Sequence, residues 1–148
     1  KKFDKMDFKK LHPSGSLGAQ LKTVEDLMLT GKKIPFVNEK IKMTKGIKIL
    51  SEKKLGILII RNKFKKTIGV ITDGQIRRYN QKYSNIHNIT AKEVMTRNPI
   101  SIDKNTLAAR ALSLMNNKKI TSLCVHDKDK NKTIGVLHIH NILQSNIS

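Results

Sequence analysis

The chain repeats itself, and the repeat limits what it can fold into more than any other feature. Ile68-Gly69-Val70 recurs as Ile134-Gly135-Val136, 66 residues later, and Thr67 before the first matches Thr133 before the second. Lys54-Leu55-Gly56-Ile57-Leu58-Ile59-Ile60 aligns with Lys119-Ile120-Thr121-Ser122-Leu123-Cys124-Val125, 65 residues later. Val24-Glu25-Asp26-Leu27-Met28 aligns with Ala91-Lys92-Glu93-Val94-Met95, 67 residues later. Small loop insertions produce a drift of this size. The period exceeds those of solenoids, so it indicates two copies of one small domain rather than an array. A chain of 148 residues has room for both.

Each copy predicts the same order of elements. A short helix ends in Met28 or Met95, and a loop with Pro35 or Pro99 follows. A brief strand comes next, Phe36-Val37 or Ile100-Ser101-Ile102. Met43, Ile47 and Leu50 then fall at i, i+4 and i+7, one face of a helix, and Ala108, Leu112 and Met115 take the matching places. Asn105 or Thr106 is the expected N-cap of the second of these helices. A buried strand (57–60; 123–125), a polar turn and a second strand (67–71; 133–137) form a hairpin. A last helix starts near Asp73, expected as its N-cap, or near Ile139. This order is α/β (α+β): two pseudo-symmetric repeats, each a small sheet covered by helices. The expected division is a linker over 1–23, a first domain over 24–79, a connection over 80–90, rich in Asn and Ser, and a second domain over 91–148. Neither copy alone is comfortably large, so the pair is expected to share a core.

The net charge is +19, with 30 basic and 11 acidic residues. Such a balance invites a nucleic-acid reading. The lysines, however, are spread over the whole length in ones and twos, Trp is absent and aromatics are 4%. Stacking platforms are therefore scarce, and no specific nucleic acid is expected as a partner. No apolar run approaches the roughly 20 residues that span a bilayer, so no membrane partner is expected. The single cysteine, Cys124, cannot form an internal disulfide, which fits a cytoplasmic setting. The chain begins Lys1-Lys2-Phe3-Asp4, without an initiator Met, and is expected to be a piece of something longer.

Gly69-Val70-Ile71-Thr72-Asp73-Gly74-Gln75-Ile76-Arg77-Arg78 resembles the strand-to-helix signature of CBS domains, Gly-h-h-Thr-x-x-Asp-h-x-Arg. With the paired copies, residues 24 to 148 resemble a tandem CBS pair, or Bateman module. Upstream, Leu11-His12-Pro13-Ser14-Gly15-Ser16-Leu17-Gly18 is similar to the segment that joins a sugar-isomerase (SIS) domain to such a pair. Met28-Leu29-Thr30-Gly31 and Gly135-Val136-Leu137-His138-Ile139-His140 also resemble that subfamily, the D-arabinose 5-phosphate isomerases. These interconvert D-ribulose 5-phosphate and D-arabinose 5-phosphate, the first step toward the lipopolysaccharide sugar Kdo.

The resemblance implies a missing N-terminal SIS domain as partner and a homodimer or higher homo-oligomer. It places His12 at the active-site histidine of the family, inactive without that domain. Ser14 stands where the family has Gly. Aldose–ketose isomerisation needs a positioned base and acid and a phosphate cradle, and this chain offers no cradle. CBS pairs bind nucleotides between the copies. A Thr hydroxyl at the strand end and an Asp three residues on grip the ribose, and basic side chains meet the phosphates. Here the pairs are Thr72 with Gln75, and His138 with Asn141. An amide offers one acceptor oxygen where a carboxylate offers two. Each charge-assisted bond lost costs about 1 kcal/mol or more. Arg77, Arg78 and Lys119 are the candidate phosphate contacts, and Thr121 and Ser122 complete the expected cleft. The expected ligand is a regulatory nucleotide, or the activated sugar CMP-Kdo. Otherwise the module is structural, with degenerate clefts. No cofactor and no metal site are expected, since His138, His140 and Cys124 fall short of a ligand set.

Overall fold

The computed structural model describes residues 21–83 and 85–145. The first repeat runs α1 (Val24–Leu27), β1 (Phe36–Asn38), α2 (Met43–Lys53), β2 (Ile57–Arg61), β3 (Thr67–Thr72) and α3 (Asp73–Lys82). The second runs α4 (Ala91–Val94), β4 (Thr96–Arg97), β5 (Ser101–Asp103), α5 (Ala108–Lys118), β6 (Ser122–His126), β7 (Thr133–His138) and α6 (Ile139–Leu143). In each, a helix carries the chain between two parallel strands, and an antiparallel hairpin follows. Both crossover helices stop on a lysine in the left-handed region, Lys54 at φ 60° and Lys119 at φ 57°. That C-cap geometry releases the chain into the next strand.

The opening segments change places between the repeats. Val24 of α1 is buried in the core of the second repeat with Ile102, Ala108, Leu112, Met115 and Leu137. Ala91 and Met95, around α4, are buried in the first core with Val37, Met43, Leu58, Ile60 and Ile71. β4 pairs with β3, so the first sheet has the order β1-β2-β3-β4. Leu29 makes the matching bridge to Val136 in β7. Close approach of these crossing segments is what the repeated glycine permits. A β-carbon on Gly69 would sit 2.8 Å from the Thr96 carbonyl oxygen, and one on Gly135 would strike Met28.

The central strands are buried on both faces. Alternate side chains of a strand point to opposite sides, and in β2 Leu58 and Ile60 enter the first core while Ile57 and Ile59 face away from it. Ile57 and Ile59 join Ile34, Cys124 and Val136 in a third cluster shared by the two repeats. Two-sided burial accounts for the unbroken apolar run 57–60. Repeat-equivalent residues meet at this interface: Thr67 and Thr133 share a hydrogen bond of 2.6 Å, both hydroxyls buried. A contact between equivalents lies on a local twofold axis. Beside it, the Thr67 amide donates to the Asn131 carbonyl and Lys66 pairs with Asp129.

Two helix caps differ from the expectation. Thr72, not Asp73, caps α3, because its backbone is extended and its hydroxyl accepts the Gln75 amide hydrogen. Asn105 and Thr106 do not cap α5, since their amides are turned onto Asp103. The Ala108 amide is instead bonded to the Lys22 carbonyl, across the repeats. The connection over 80–90 carries regular structure and a core residue. α3 continues to Lys82, and Ile86, 1% exposed, sits in the first core.

Candidate ligand clefts

The site residues fall at the two strand-to-helix corners that end β3 and β7. At the first corner Thr72 and Gln75 form a reciprocal capping box. The Thr72 amide donates to Gln75 Oε1 at 2.9 Å, and the Gln75 amide donates to Thr72 Oγ1 at 3.3 Å. Gln75 Nε2 then donates to Thr96 Oγ1 at 2.7 Å, tying α3 to the crossing strand β4. Thr96 was not foreseen, because the residue opposite Gln75 comes from the other repeat. Arg77 and Arg78 are exposed on α3, and the Arg78 guanidinium lies back over Gly74 in the first turn.

At the second corner His138 takes the place of Thr72. Its amide donates to Asn141 Oδ1 at 3.0 Å, and its ring Nδ1 accepts the His140 amide hydrogen at 3.1 Å. The two histidine rings stack with centroids 4.9 Å apart. Nδ1 acts as an acceptor, so the ring proton of neutral His138 belongs on Nε2. Burial, and next the neighbouring His140, hold His138 below the ordinary histidine range. Ser122 lies directly across the ladder from His138, and its hydroxyl donates to the Leu55 carbonyl of the first repeat. Thr121 is exposed, and its carbonyl accepts the Ile139 amide hydrogen. Lys119 is exposed at the end of α5. The hydrogen bonds thus divide the named residues into two groups, Thr72 with Gln75, and His138 with Asn141. His12 lies outside the described residues.

Cys124 is buried, and burial pushes its thiol up to about 12, so it stays protonated and inert. Among the described residues no group of three or more His, Cys, Asp or Glu could hold a metal ion, and no helix is long and apolar enough to cross a membrane. Hollows among the described residues lie beside the helices. One, of about 670 Å³, is lined by Ile102, Asp103, Leu107, Arg110 and Leu114 among others. Another, of about 380 Å³, lies between α2 and α3.

Two α/β repeats about a local twofold, with exchanged opening segments and paired strand-to-helix corners, define a tandem α/β repeat architecture. The CBS domain family model matches residues 24–82 and 91–147, and the chain belongs to that family, as a Bateman module. It is 39% identical to an uncharacterized protein of Rickettsia prowazekii, RP505, over 99% of this chain and 44% of that one. It is 36% identical to arabinose 5-phosphate isomerase KdsD of Salmonella typhi over 98% of this chain and 44% of the enzyme. The chain therefore spans less than half the length of these relatives. Among solved structures, CBSX2 in complex with AMP superposes with a TM-score of 0.73 at 23% identity, covering 84% of this chain and 95% of that one.

Proposed function

We propose that this chain is the regulatory, ligand-sensing part of a larger arabinose 5-phosphate isomerase. The observation that carries this reading is the match to that enzyme over nearly the whole chain, at 34 to 36% identity. The upstream SIS domain would supply the phosphate cradle and base, with His12 completing the active site. The whole protein would work in the cytoplasm as a homodimer or higher oligomer. The sensed ligand is a nucleotide sugar, CMP-Kdo in preference to ATP or AMP. Gln75 and Asn141 stand where adenosine-binding clefts use a ribose-gripping carboxylate, which weakens the case for an adenylate. The carboxylate and phosphate of CMP-Kdo suit the basic residues Arg77, Arg78 and Lys119, and the cleft residues Thr72, Gln75, Thr121, Ser122, His138 and Asn141.

A purely structural, dimerising module is the second reading. It is favoured by one observation: both ends of the Gln75 side chain and the Thr72 hydroxyl are already engaged within the chain. A thermal-shift screen separates the two. A ligand at 100 times its dissociation constant stabilises the fold by about 2.7 kcal/mol. A shift with CMP-Kdo supports the sensing reading. No shift with CMP-Kdo, ATP or AMP, alongside a stable dimer in sedimentation, supports the structural one. The purified chain alone should not turn over arabinose 5-phosphate, and turnover above a mock preparation would contradict the assignment of the chemistry to the missing part.

A further inference from the structure

We infer that the paired hairpin tips, 61–66 and 127–132, are a docking surface for an anionic phospholipid bilayer, with Phe64 as the inserted side chain. The tips belong to different repeats and meet at the local twofold. Lys66 pairs with Asp129 at 2.6 Å, and the Thr67 amide donates to the Asn131 carbonyl at 2.7 Å. The shared bond of the Thr67 and Thr133 hydroxyls lies just behind them. Together the tips carry seven basic and two acidic residues in twelve, against 30 and 11 in the 148 of the whole chain. Lysines that are scattered along the sequence are thus gathered at one end of the fold. The tips precede β3 and β7, a strand's length from the corners that end those strands. The inference therefore does not depend on the nucleotide reading.

Phe64 marks this surface. It is 72% exposed, against 42–55% for the other exposed large apolar side chains among the described residues. The turn that presents it is fixed without its ring. Asn62 Oδ1 accepts the amide hydrogens of Phe64 at 2.9 Å and of Lys66 at 3.0 Å. The Lys65 amide donates to the Asn62 carbonyl at 3.0 Å, and Lys65 takes the left-handed conformation at φ 62°. An asparagine at the head of a turn holds it in this way through its own side chain. The Lys63 ammonium lies 5.1 Å from the centroid of the Phe64 ring, which otherwise stands in water. The turn makes no use of the ring, whereas a bilayer interface takes up an exposed aromatic side chain.

The charge of the tips selects the partner. Their acidic side chains are matched within the fold, Asp129 by Lys66 and Asp127 by Lys104. Lys63, Lys65, Lys128, Lys130 and Lys132 are exposed on the two turns. Protein–protein interfaces are depleted in lysine. Single-stranded nucleic acid needs successive stacking platforms, and this surface has one. A layer of anionic headgroups meets dispersed lysines wherever they stand and lets a single ring reach the acyl boundary. Among the described residues no helix is long and apolar enough to cross a membrane, and a contact with the bilayer surface needs none.

The test exploits the lack of tryptophan in the chain. Phe64→Trp places one fluorescent reporter at the tip, and Leu143→Trp places one at an exposed site on α6, which follows the far end of β7. Each variant is titrated with vesicles of phosphatidylcholine alone and of phosphatidylcholine with phosphatidylglycerol, with and without bromine-labelled acyl chains. A blue shift and bromine quenching are expected at position 64 with the anionic vesicles only, and neither at position 143. Lys63→Gln combined with Lys65→Asn should weaken binding to anionic vesicles about 25-fold, about five-fold for each lysine. Lys45→Gln combined with Lys48→Gln, exposed on α2, removes the same charge and should weaken it roughly two-fold at most. Absence of binding to anionic vesicles overturns the inference. So does equal weakening by the two pairs without quenching at position 64, which is general adsorption of a chain of charge +19. A blue shift at position 64 with polyglutamate or duplex DNA, and not with vesicles, overturns it in favour of a protein or nucleic-acid partner.

Discussion

A β-carbon built on Gly69 would lie 2.6 Å from Met95 Sδ and 2.8 Å from the Thr96 carbonyl oxygen. The methionine can swing aside, but the carbonyl belongs to β4 and cannot move without parting the β3–β4 ladder. Gly69→Ala should therefore destabilise the fold by about 1–3 kcal/mol, the usual cost of overpacking, measured by urea unfolding. The glycine was legible in the sequence as half of the repeated Ile-Gly-Val. Its reason was not, because Met95 and Thr96 come from the other repeat. His138 gives a second prediction. Its imidazole is held below the ordinary value by burial and by His140, so the folded chain takes up a proton less readily than the unfolded one. The associated stability is present above roughly pH 6.5, the unfolded histidine pKa, and is lost as pH falls through the lower folded value. His138→Thr puts a capping hydroxyl in place of the ring nitrogen and removes this loss. Unfolding midpoints at pH about 7 and about 5 should fall more for the parent chain than for the variant. An equal fall would assign the acid sensitivity to other groups.

Among the elements, the crossover helices and hairpins were legible because each carries its own period. Met43 and Leu50 are buried at the helical spacing, and the runs 57–60 and 123–125 form the central strands. Helix starts were less legible. Asp73, Asn105 and Thr106 all have cap-forming side chains, yet Thr72 and the cross-repeat bond from Ala108 to Lys22 set the starts. The polar composition of 80–90 concealed Ile86, since Ile86 and Ile89 stand among polar residues in a stretch too short to set a clear period. Its burial at 1% exposure makes a prediction. Ile86→Ala should cost about 2–5 kcal/mol, as for other buried large-to-small changes, where a mere connection would tolerate it within experimental error. The exchange of α1 and α4 could not be read at all, because alignment of repeats gives equivalence and not which copy a segment packs against.

For the molecule as a whole, the exchanged segments and the third cluster of Ile34, Ile57, Ile59, Cys124 and Val136 bind the repeats into one cooperative body. The first corner is tied to the second repeat through Gln75 and Thr96, and the second is tied to the first repeat through Ser122 and the Leu55 carbonyl. Of the candidate residues, the sequence located Thr72, Gln75, His138 and Asn141 as corner positions. The Thr72-x-x-Gln75 spacing also carried the capping-box signal of the first corner, whereas His138 with Asn141 carries no such signature, because an imidazole is not an ordinary cap. Isothermal titration calorimetry of CMP-Kdo and of ATP into the purified chain tests the central claim most directly. Saturable binding of CMP-Kdo, tighter than that of ATP, is the expected result. Equal affinity, a preference for ATP, or no heat of binding from either would contradict it.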